Sequence, residues 1–345
     1  MKRKYLHCAL CVACFLCVFG SACNSDAPPT PADKKEKPAV GVLLYRDDDM
    51  YISLVGKALT QALTDRAEVF LRTSGNDQLT QDDQIDELLG KGVAALAVNL
   101  VDAKMAAHVV AKAKKADIPV VFFNREPDID TIKSYGKTCF IGTNAFDAGK
   151  MQGDLIADIW KAHPEYDRNK DGKLQYLMFQ GDPDNPEALA RTEYSVRQAR
   201  EKGVDMWQLG ENRVCNWDDE IAQQAMRMAF ATYGEQVELI LSNNDSMALG
   251  VIRALQAFGY NRENGPQDKY IPVIGVDAIP QAVEAIQKKV MTATVKQDGA
   301  AMGQAVADLI MNAVGGKDFL AGTSYAWDNT GLGVRIPYSV YSKEK

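Results

Sequence analysis

From Val40 onward the apolar positions fall into short continuous runs, separated by longer stretches with helical period. Val40-Gly-Val-Leu-Leu-Tyr45 reads as a buried strand, followed by a helix over 52–64 and a strand over 68–73. A helix over 80–91, a strand over 94–99 and a helix over 103–116 lead to the strand Ile118-Pro-Val-Val-Phe-Phe-Asn124. Runs without polar alternation are buried on both faces, which predicts a parallel sheet with helices on each side. The pattern then restarts with a strand over 140–143, a helix over 145–162 and a strand over 174–180. It continues with a helix over 186–202, a strand near 205–209, a helix over 218–232 and a strand over 237–242. A helix over 245–258 and a strand over 271–277 follow. The strands 118–124 and 271–277 both run Ile-Pro-Val, then apolar residues, then a polar end, so two similar α/β lobes are expected.

The first 23 residues differ in kind. Lys2, Arg3 and Lys4 form a basic start, and residues 6–20 are an apolar, cysteine-rich run. That run is short for a membrane span and fits the apolar region of a secretory signal. Gly20-Ser21-Ala22-Cys23 resembles a bacterial lipobox, with Gly20 where a leucine is usual. The resemblance implies removal of residues 1–22 and lipidation of Cys23; ordinary signal cleavage nearby is the alternative. A lipidated end anchors a protein without spanning the bilayer. Residues 24–38, rich in Pro, Asp and Lys, read as a flexible tether. Of seven cysteines, four would leave with the signal, and the distant Cys139 and Cys215 read as packing residues rather than a disulfide framework. Without Lys2, Arg3 and Lys4 the balance is 36 basic to 46 acidic residues, and no basic stripe is visible, which argues against a nucleic-acid partner.

Asp167-Arg-Asn169-Lys-Asp171-Gly172-Lys173-Leu-Gln175 has most of a calcium loop. Oxygen side chains occupy positions 1, 3, 5 and 9, glycine occupies 6, and position 7 needs only a backbone carbonyl. Position 12, where an EF-hand places a bidentate glutamate, is Met178. Either the segment is a plain Asp/Asn/Gly turn or the missing carboxylate comes from elsewhere.

In open parallel sheets ligands gather beyond the carboxyl ends of the strands. Those ends carry Asp49, Asn124, Asn244 and Asp277, all polar and none a strong nucleophile. Each has a bland alternative as a helix cap or turn residue. Carboxylates accept from hydroxyls, Asn and Arg supply donors, and a flat aromatic covers the C–H face of a sugar, so the set suits a neutral polyhydroxy ligand. Tyr51 and Trp217 are the aromatic candidates, with ordinary packing as the alternative. Enzyme motifs are absent: there is no Gly-x-Ser-x-Gly and no complete dinucleotide fingerprint. Gly136-Lys137-Thr138 mimics the end of a P-loop, but Thr131 stands at its first glycine. The only histidines, His7, His108 and His163, form no zinc-like cluster.

Longer stretches carry a family resemblance. Tyr45-Arg-Asp-Asp-Asp49, Asn76-Asp-Gln, Asp82-Asp-Gln-Ile-Asp86 and Lys91-Gly-Val-Ala-Ala-Leu-Ala-Val-Asn99-Leu-Val-Asp102 belong to it. So do Pro119-Val-Val-Phe-Phe-Asn124-Arg-Glu-Pro127, Gln152-Gly-Asp-Leu-Ile156, Asn169-Lys-Asp-Gly172, Asn243-Asn-Asp245 and Gly275-Val-Asp277-Ala-Ile-Pro280. In this order they resemble the periplasmic glucose/galactose-binding proteins of bacterial ABC importers. The resemblance implies two Rossmann-like lobes with parallel sheets, joined by three crossings and closing on a sugar. It implies an N-terminal lobe of 39–142 plus 297–334 and a C-terminal lobe of 143–296 plus 335–345. By position Asp49, Asn124, Arg191, Asn244 and Asp277 match the family's sugar-bonding residues, and Tyr51 and Trp217 its stacking aromatics. Asn185, Glu187 and Gln297 depart, standing where the family has histidine, aspartate and asparagine. The family also takes the last calcium ligand from a distant strand, at the position of Glu238, giving a structural Ca²⁺ site of Asp167, Asn169, Asp171, Lys173, Gln175 and Glu238. It implies a monomer, no enzymatic activity, an ABC permease as partner, and in some members a chemoreceptor. A repressor-type regulator would need a helix-turn-helix where the signal and tether stand. A sugar-modifying enzyme would need a carboxylate pair, for which Asp49 and Asp277 are the available residues.

Overall fold

Strands form where the apolar runs lie, and the computed structural model describes them within residues 36–343. The signal segment, Cys23 and the tether as far as residue 35 lie outside the described residues. In chain order the strands are β1 (Ala39–Leu44), β2 (Glu68–Thr73), β3 (Ala95–Val98), β4 (Val120–Phe123), β5 (Thr138–Gly142), β6 (Leu174–Gln180) and β7 (Met206–Gln208). Then come β8 (Arg213–Val214), β9 (Leu239–Ser242), β10 (Val273–Asp277), β11 (Ala293–Gln297), β12 (Gly333–Arg335) and β13 (Tyr338–Ser342). The helices are α1 (Met50–Leu63), α2 (Gln78–Gly90), α3 (Ala106–Ala116), α4 (Ile129–Lys133) and α5 (Ala145–Ala162). They continue with α6 (Pro186–Glu201), α7 (Asp219–Tyr233), α8 (Asp245–Ala257), α9 (Pro280–Gln287) and α10 (Gly299–Val314).

Two sheets result. The first has the order β12-β5-β4-β3-β1-β2 and the second β13-β11-β10-β9-β6-β7, with β8 also paired to β6. The central strands β3, β4 and β5 are buried at every position, whereas the edge strand β2 is partly exposed along its length. That contrast is what helices on both faces of a parallel sheet produce. The chain passes between the sheets three times, after β5, after β11 and after β12.

One strand departs from the expected parallel order. β13 pairs antiparallel with β11, Gln297 opposite Tyr338. Only Ile336 and Pro337 separate β12 from β13, so the chain leaves the carboxyl edge of the first sheet and enters the second at its carboxyl edge. From there it can only run back along β11. Beyond Gln297, α10 returns to the first lobe and packs on α1 and on β3, β4 and β5.

Close packing fixes α6, which carries much of the site. At Gly149 and Gly153 of α5 an added Cβ would stand 2.9 Å from Ala190 O and 2.7 Å from Ser195 O. The two helices therefore meet backbone to backbone, and no larger residue fits there. Cys139 and Cys215 are free and buried, and burial raises both thiols, Cys215 to about 12. Gly136 and Lys137 lie before β5 rather than between a strand and a helix, and Lys137 Nζ binds Asp117 at 2.7 Å. That context is not a P-loop. Among the described residues no helix is long and apolar enough to cross a membrane.

Candidate functional site

The carboxyl ends of both sheets face one cavity. Asp49, Tyr51, Asn124, Asn185, Glu187, Arg191, Trp217, Asn244, Asp277 and Gln297 all line it. Tyr45, Ile52 and Arg125 line it as well. The first lobe contributes β1, α1 and β4; the second contributes α6, the segment after β8, and the ends of β9, β10 and β11. The cavity is small, about 40 Å³.

Three of these residues cap helices while facing the cavity. Asp49 Oδ1 accepts from Ile52 N at 3.0 Å, Asn185 Oδ1 from Glu187 N at 2.8 Å, and Asn244 Oδ1 from Met247 N at 3.0 Å. Capping and lining are thus compatible: α1, α6 and α8 aim their amino ends at the cavity and give it a polar, donor-rich wall. Tyr51 is not a loop residue but the second residue of α1, buried, with its hydroxyl 3.7 Å from Met302 Sδ. Two residues that sequence reasoning passed over support Asp49, Tyr45 directly and Arg125 through Tyr45. Tyr45 Oη donates to Asp49 Oδ2 at 2.6 Å, and the Arg125 guanidinium sits 3.9 Å from the Tyr45 ring centroid. Tyr45 opens the stretch that ends at Asp49, and Arg125 directly follows Asn124.

The second lobe is more heavily wired. Arg191 Nη1 donates to Asn243 O at 2.8 Å, and Nη2 donates to Glu187 Oε2 at 2.7 Å, Gln297 Oε1 at 2.8 Å and Tyr338 Oη at 3.0 Å. Arg191 Nε and Gln297 Nε2 are buried without a partner. Buried donors are normally satisfied, so these two point to an acceptor-bearing ligand. Burial disfavours the Arg191 cation, but Tyr338, Glu187 and Asp277 outweigh it and raise its pKa. Asp277 Oδ1 lies 3.9 Å from Arg191 Nη1. Burial pushes the Asp277 carboxyl well above the usual range, with Arg191 opposing and Asp245 reinforcing the shift. Asp277 and Ala278 take φ of 122° and 56°, and Asn216 and Trp217 take 49° and 68°. Such conformations are uncommon for residues with a Cβ and concentrate at binding sites.

The calcium-like loop lies elsewhere, before β6. Glu238, next to β9 and 1% exposed, accepts from Arg168 N at 2.7 Å and Gln175 N at 3.0 Å. Asp167 accepts from Asp171 N and Gly172 N, and Gln175 Nε2 donates to Asp171 Oδ2 at 2.8 Å. Among the described residues no three His, Cys, Asp or Glu side chains stand together as a metal cluster. The donor set fits a hard cation in another way: it mixes carboxylates, amide oxygens and a backbone carbonyl, and Gln175 Oε1 is buried with no partner. Burial raises the Glu238 pKa, and nearby Asp167 adds to the shift. Met178 cannot serve the loop because it is buried within β6, its sulfur 3.8 Å from Asn243 Nδ2.

A larger cavity of about 570 Å³ lies between the end of α5, α9 and β13. Its wall is mostly apolar and none of the strand-end residues reaches it, so it is not the polar site.

This architecture, two parallel-dominated α/β lobes with a polar cavity at their facing strand ends, defines a hinged binding protein. The periplasmic binding protein domain family matches residues 40–318, and the chain belongs to that family. Its members are periplasmic binding proteins, not enzymes. The chain is 38% identical over 338 residues to the D-galactose/methyl-galactoside binding periplasmic protein of Haemophilus influenzae, covering 97% of this chain and 96% of that one. Solved structures share the fold. A Bacillus halodurans ABC transporter solute binding protein with bound myo-inositol has a TM-score of 0.73 at 22% identity, covering 90% of this chain and 96% of its own. An Actinobacillus succinogenes periplasmic solute binding protein with bound D-allose has a TM-score of 0.74 at 18% identity, covering 89% and 98%.

Proposed function

We propose that this protein is the sugar-binding component of an ABC importer and takes D-galactose, D-glucose or both between its lobes. The observation that carries the reading is the convergence of ten polar and aromatic residues from both lobes on one cavity. The 38% identity to a galactose-binding relative points to the hexose. Sugar enters while the lobes are apart and rests against Trp217 or Tyr51. Its hydroxyls donate to Asp49 and Asp277, and its oxygens accept from Arg191 Nε, Gln297 Nε2 and the Asn124 and Asn244 amides. Only the closed form completes these bonds, so the sugar shifts the hinge toward closure. A sugar lacking one matching hydroxyl leaves a buried group unpaired, which is the source of selectivity. A membrane permease then receives the closed form.

Two accessory features complete the proposal. Ca²⁺ at Asp167, Asn169, Asp171, the Lys173 carbonyl, Gln175 and Glu238 fastens the loop to the second lobe's own sheet. Lipidated Cys23 anchors a monomer to the membrane, at its periplasmic or cell-surface face, through the tether. A binder of another monosaccharide, or a sensor that also engages a chemoreceptor, is the second reading. Asn185 and Gln297 favour it, because they change the hydrogen-bonding groups at the cavity. Calorimetric titration with D-galactose, D-glucose, D-allose and myo-inositol decides between them. Heat and a thermal shift with galactose or glucose are expected; silence from both hexoses sinks the reading.

A further inference from the structure

Each of the three crossings contributes one side chain to the same buried ion pair. Thr143 follows β5, Gln297 ends β11 and Tyr338 opens β13. Thr143 Oγ1 donates to Glu187 Oε1 at 2.6 Å, Gln297 Oε1 accepts from Arg191, and Tyr338 Oη accepts from Arg191 while facing Glu187 Oε2 and Thr143 Oγ1, each at 2.9 Å. Arg335, at the end of β12, adds a bond to Thr143 O at 3.0 Å and binds Glu126 of the first lobe. Glu187 and Arg191 are four residues apart on α6, and their side chains are 15% and 4% exposed.

We propose that Glu187 and Tyr338 are positioning residues rather than sugar ligands, coupling occupancy of the cavity to the hinge through Arg191. The inference rests on the sugar-binding reading and deepens it. The existing hydrogen bonds carry it. A tyrosine hydroxyl has one proton to give, and Tyr338 shares it between Glu187 and Thr143 while accepting from Arg191. Both Glu187 oxygens are engaged, one by Thr143 and the other by Arg191 and Tyr338. The buried donors of this network left without a partner are Arg191 Nε and Gln297 Nε2. A ligand oxygen on those donors is therefore joined through Arg191 directly to the Gln297 and Tyr338 crossings, and through Glu187 or Tyr338 to the Thr143 crossing, the three segments that must bend when the lobes part. Filling them stiffens the point where the crossings meet and favours the closed angle. Bonds between ionised groups in a buried network are the strong ones, so the link transmits rather than yields.

The test measures binding and closure together on the full chain, by calorimetry and by energy transfer between dyes on the two lobes. Tyr338→Phe removes only the hydroxyl and keeps the ring; Glu187→Gln keeps the shape and removes the charge. If the inference holds, each weakens sugar binding by about ten- to a hundredfold and lowers the closed fraction or closing rate at saturating sugar. Wild-type affinity with wild-type closure in either folded variant overturns it. So does weakened affinity with unchanged closure amplitude and rate, which would make the residues direct sugar ligands. Wild-type protein is the control: if it binds no hexose, the sugar reading itself fails, whereas binding by the wild type isolates the failure to the hinge role.

Discussion

Trp217 rests directly on Gly181. A Cβ added at Gly181 would meet three atoms of the indole at 2.5 Å, so the ring's position depends on the glycine having no side chain. Gly181 N is itself held by Asn243 Oδ1 at 3.1 Å, which ties the platform to the end of β9. The Arg191 guanidinium lies 5.8 Å from the indole centroid, on the same cavity. Gly181→Ala is expected to push the indole out of register and weaken sugar binding by about tenfold, since the ring must shift against a packed wall. Trp217→Ala removes the platform, with an expected loss of a hundredfold or more, about the scale of a buried interfacial aromatic. Titration of both variants with the same sugar checks the order. A Gly181→Ala protein with native affinity would remove the platform argument.

Asp245 carries a pH signature. It is fully buried, accepts from Thr294 Oγ1 at 2.7 Å and Ile279 N at 3.1 Å, and burial raises its pKa from 3.8 to about 7. Its folded pKa lies above the unfolded one, so the folded state holds the extra proton between them. The stability it contributes is full below pH 3.8 and is lost as pH rises through about 7. Asp277, its neighbour, is shifted in the same direction. Asp245→Asn removes the titration at the cost of one acceptor. The melting temperature of the wild type, relative to this variant, should fall as pH is raised from 4 to 8. Parallel melting profiles across that range would show that Asp245 is ionised throughout or screened.

Strand ends were readable because period and position act locally: Asn124 and Asp277 follow an apolar run directly, and Asp49 and Asn244 lie within a few polar residues of one. Their double role as caps explains why composition alone left the choice open. Tyr338 shows where local reading stops. It pairs with Thr143 across 195 positions and sits in a five-residue strand with no periodic signal. The antiparallel course of β13 follows from where the chain crosses, which the strand's own sequence does not encode. Tyr45 and Arg125 were visible residues, yet their support of Asp49 is a matter of side-chain direction.

The loop ending at Gln175 predicts a response to chelation. Asp167 lies near enough to Glu238 to raise its pKa, a repulsion that a bound cation would relieve. Calcium should raise the melting temperature and EGTA lower it, by several degrees if the site contributes a few kcal/mol. Glu238→Gln should abolish the calcium-dependent part of that shift. Trp207 offers an independent signal, since Lys173 Nζ stands 4.6 Å from its ring centroid and ordering of the loop should change its fluorescence. A calcium-independent melt together with calcium-independent Trp207 emission would leave the segment as a self-bonded turn.

Tyr45 and Asp49 separate orientation from recognition. One Asp49 oxygen caps α1 and the other receives the Tyr45 hydroxyl. Tyr45→Phe leaves the carboxylate and the cap in place but frees its second oxygen to swing. The expected outcome is a loss of about three- to tenfold in sugar affinity, the scale of one neutral hydrogen bond, with a melting temperature close to native. Asp49→Ala removes the cap and the acceptor together. It should lower stability by about 1 kcal/mol through the cap. Its affinity should fall well beyond that of Tyr45→Phe, because a buried sugar hydroxyl loses its carboxylate. Calorimetry and thermal melts on both variants distinguish the two effects. If Tyr45→Phe binds as poorly as Asp49→Ala, Tyr45 itself is a sugar ligand and the bracing role assigned to it is wrong.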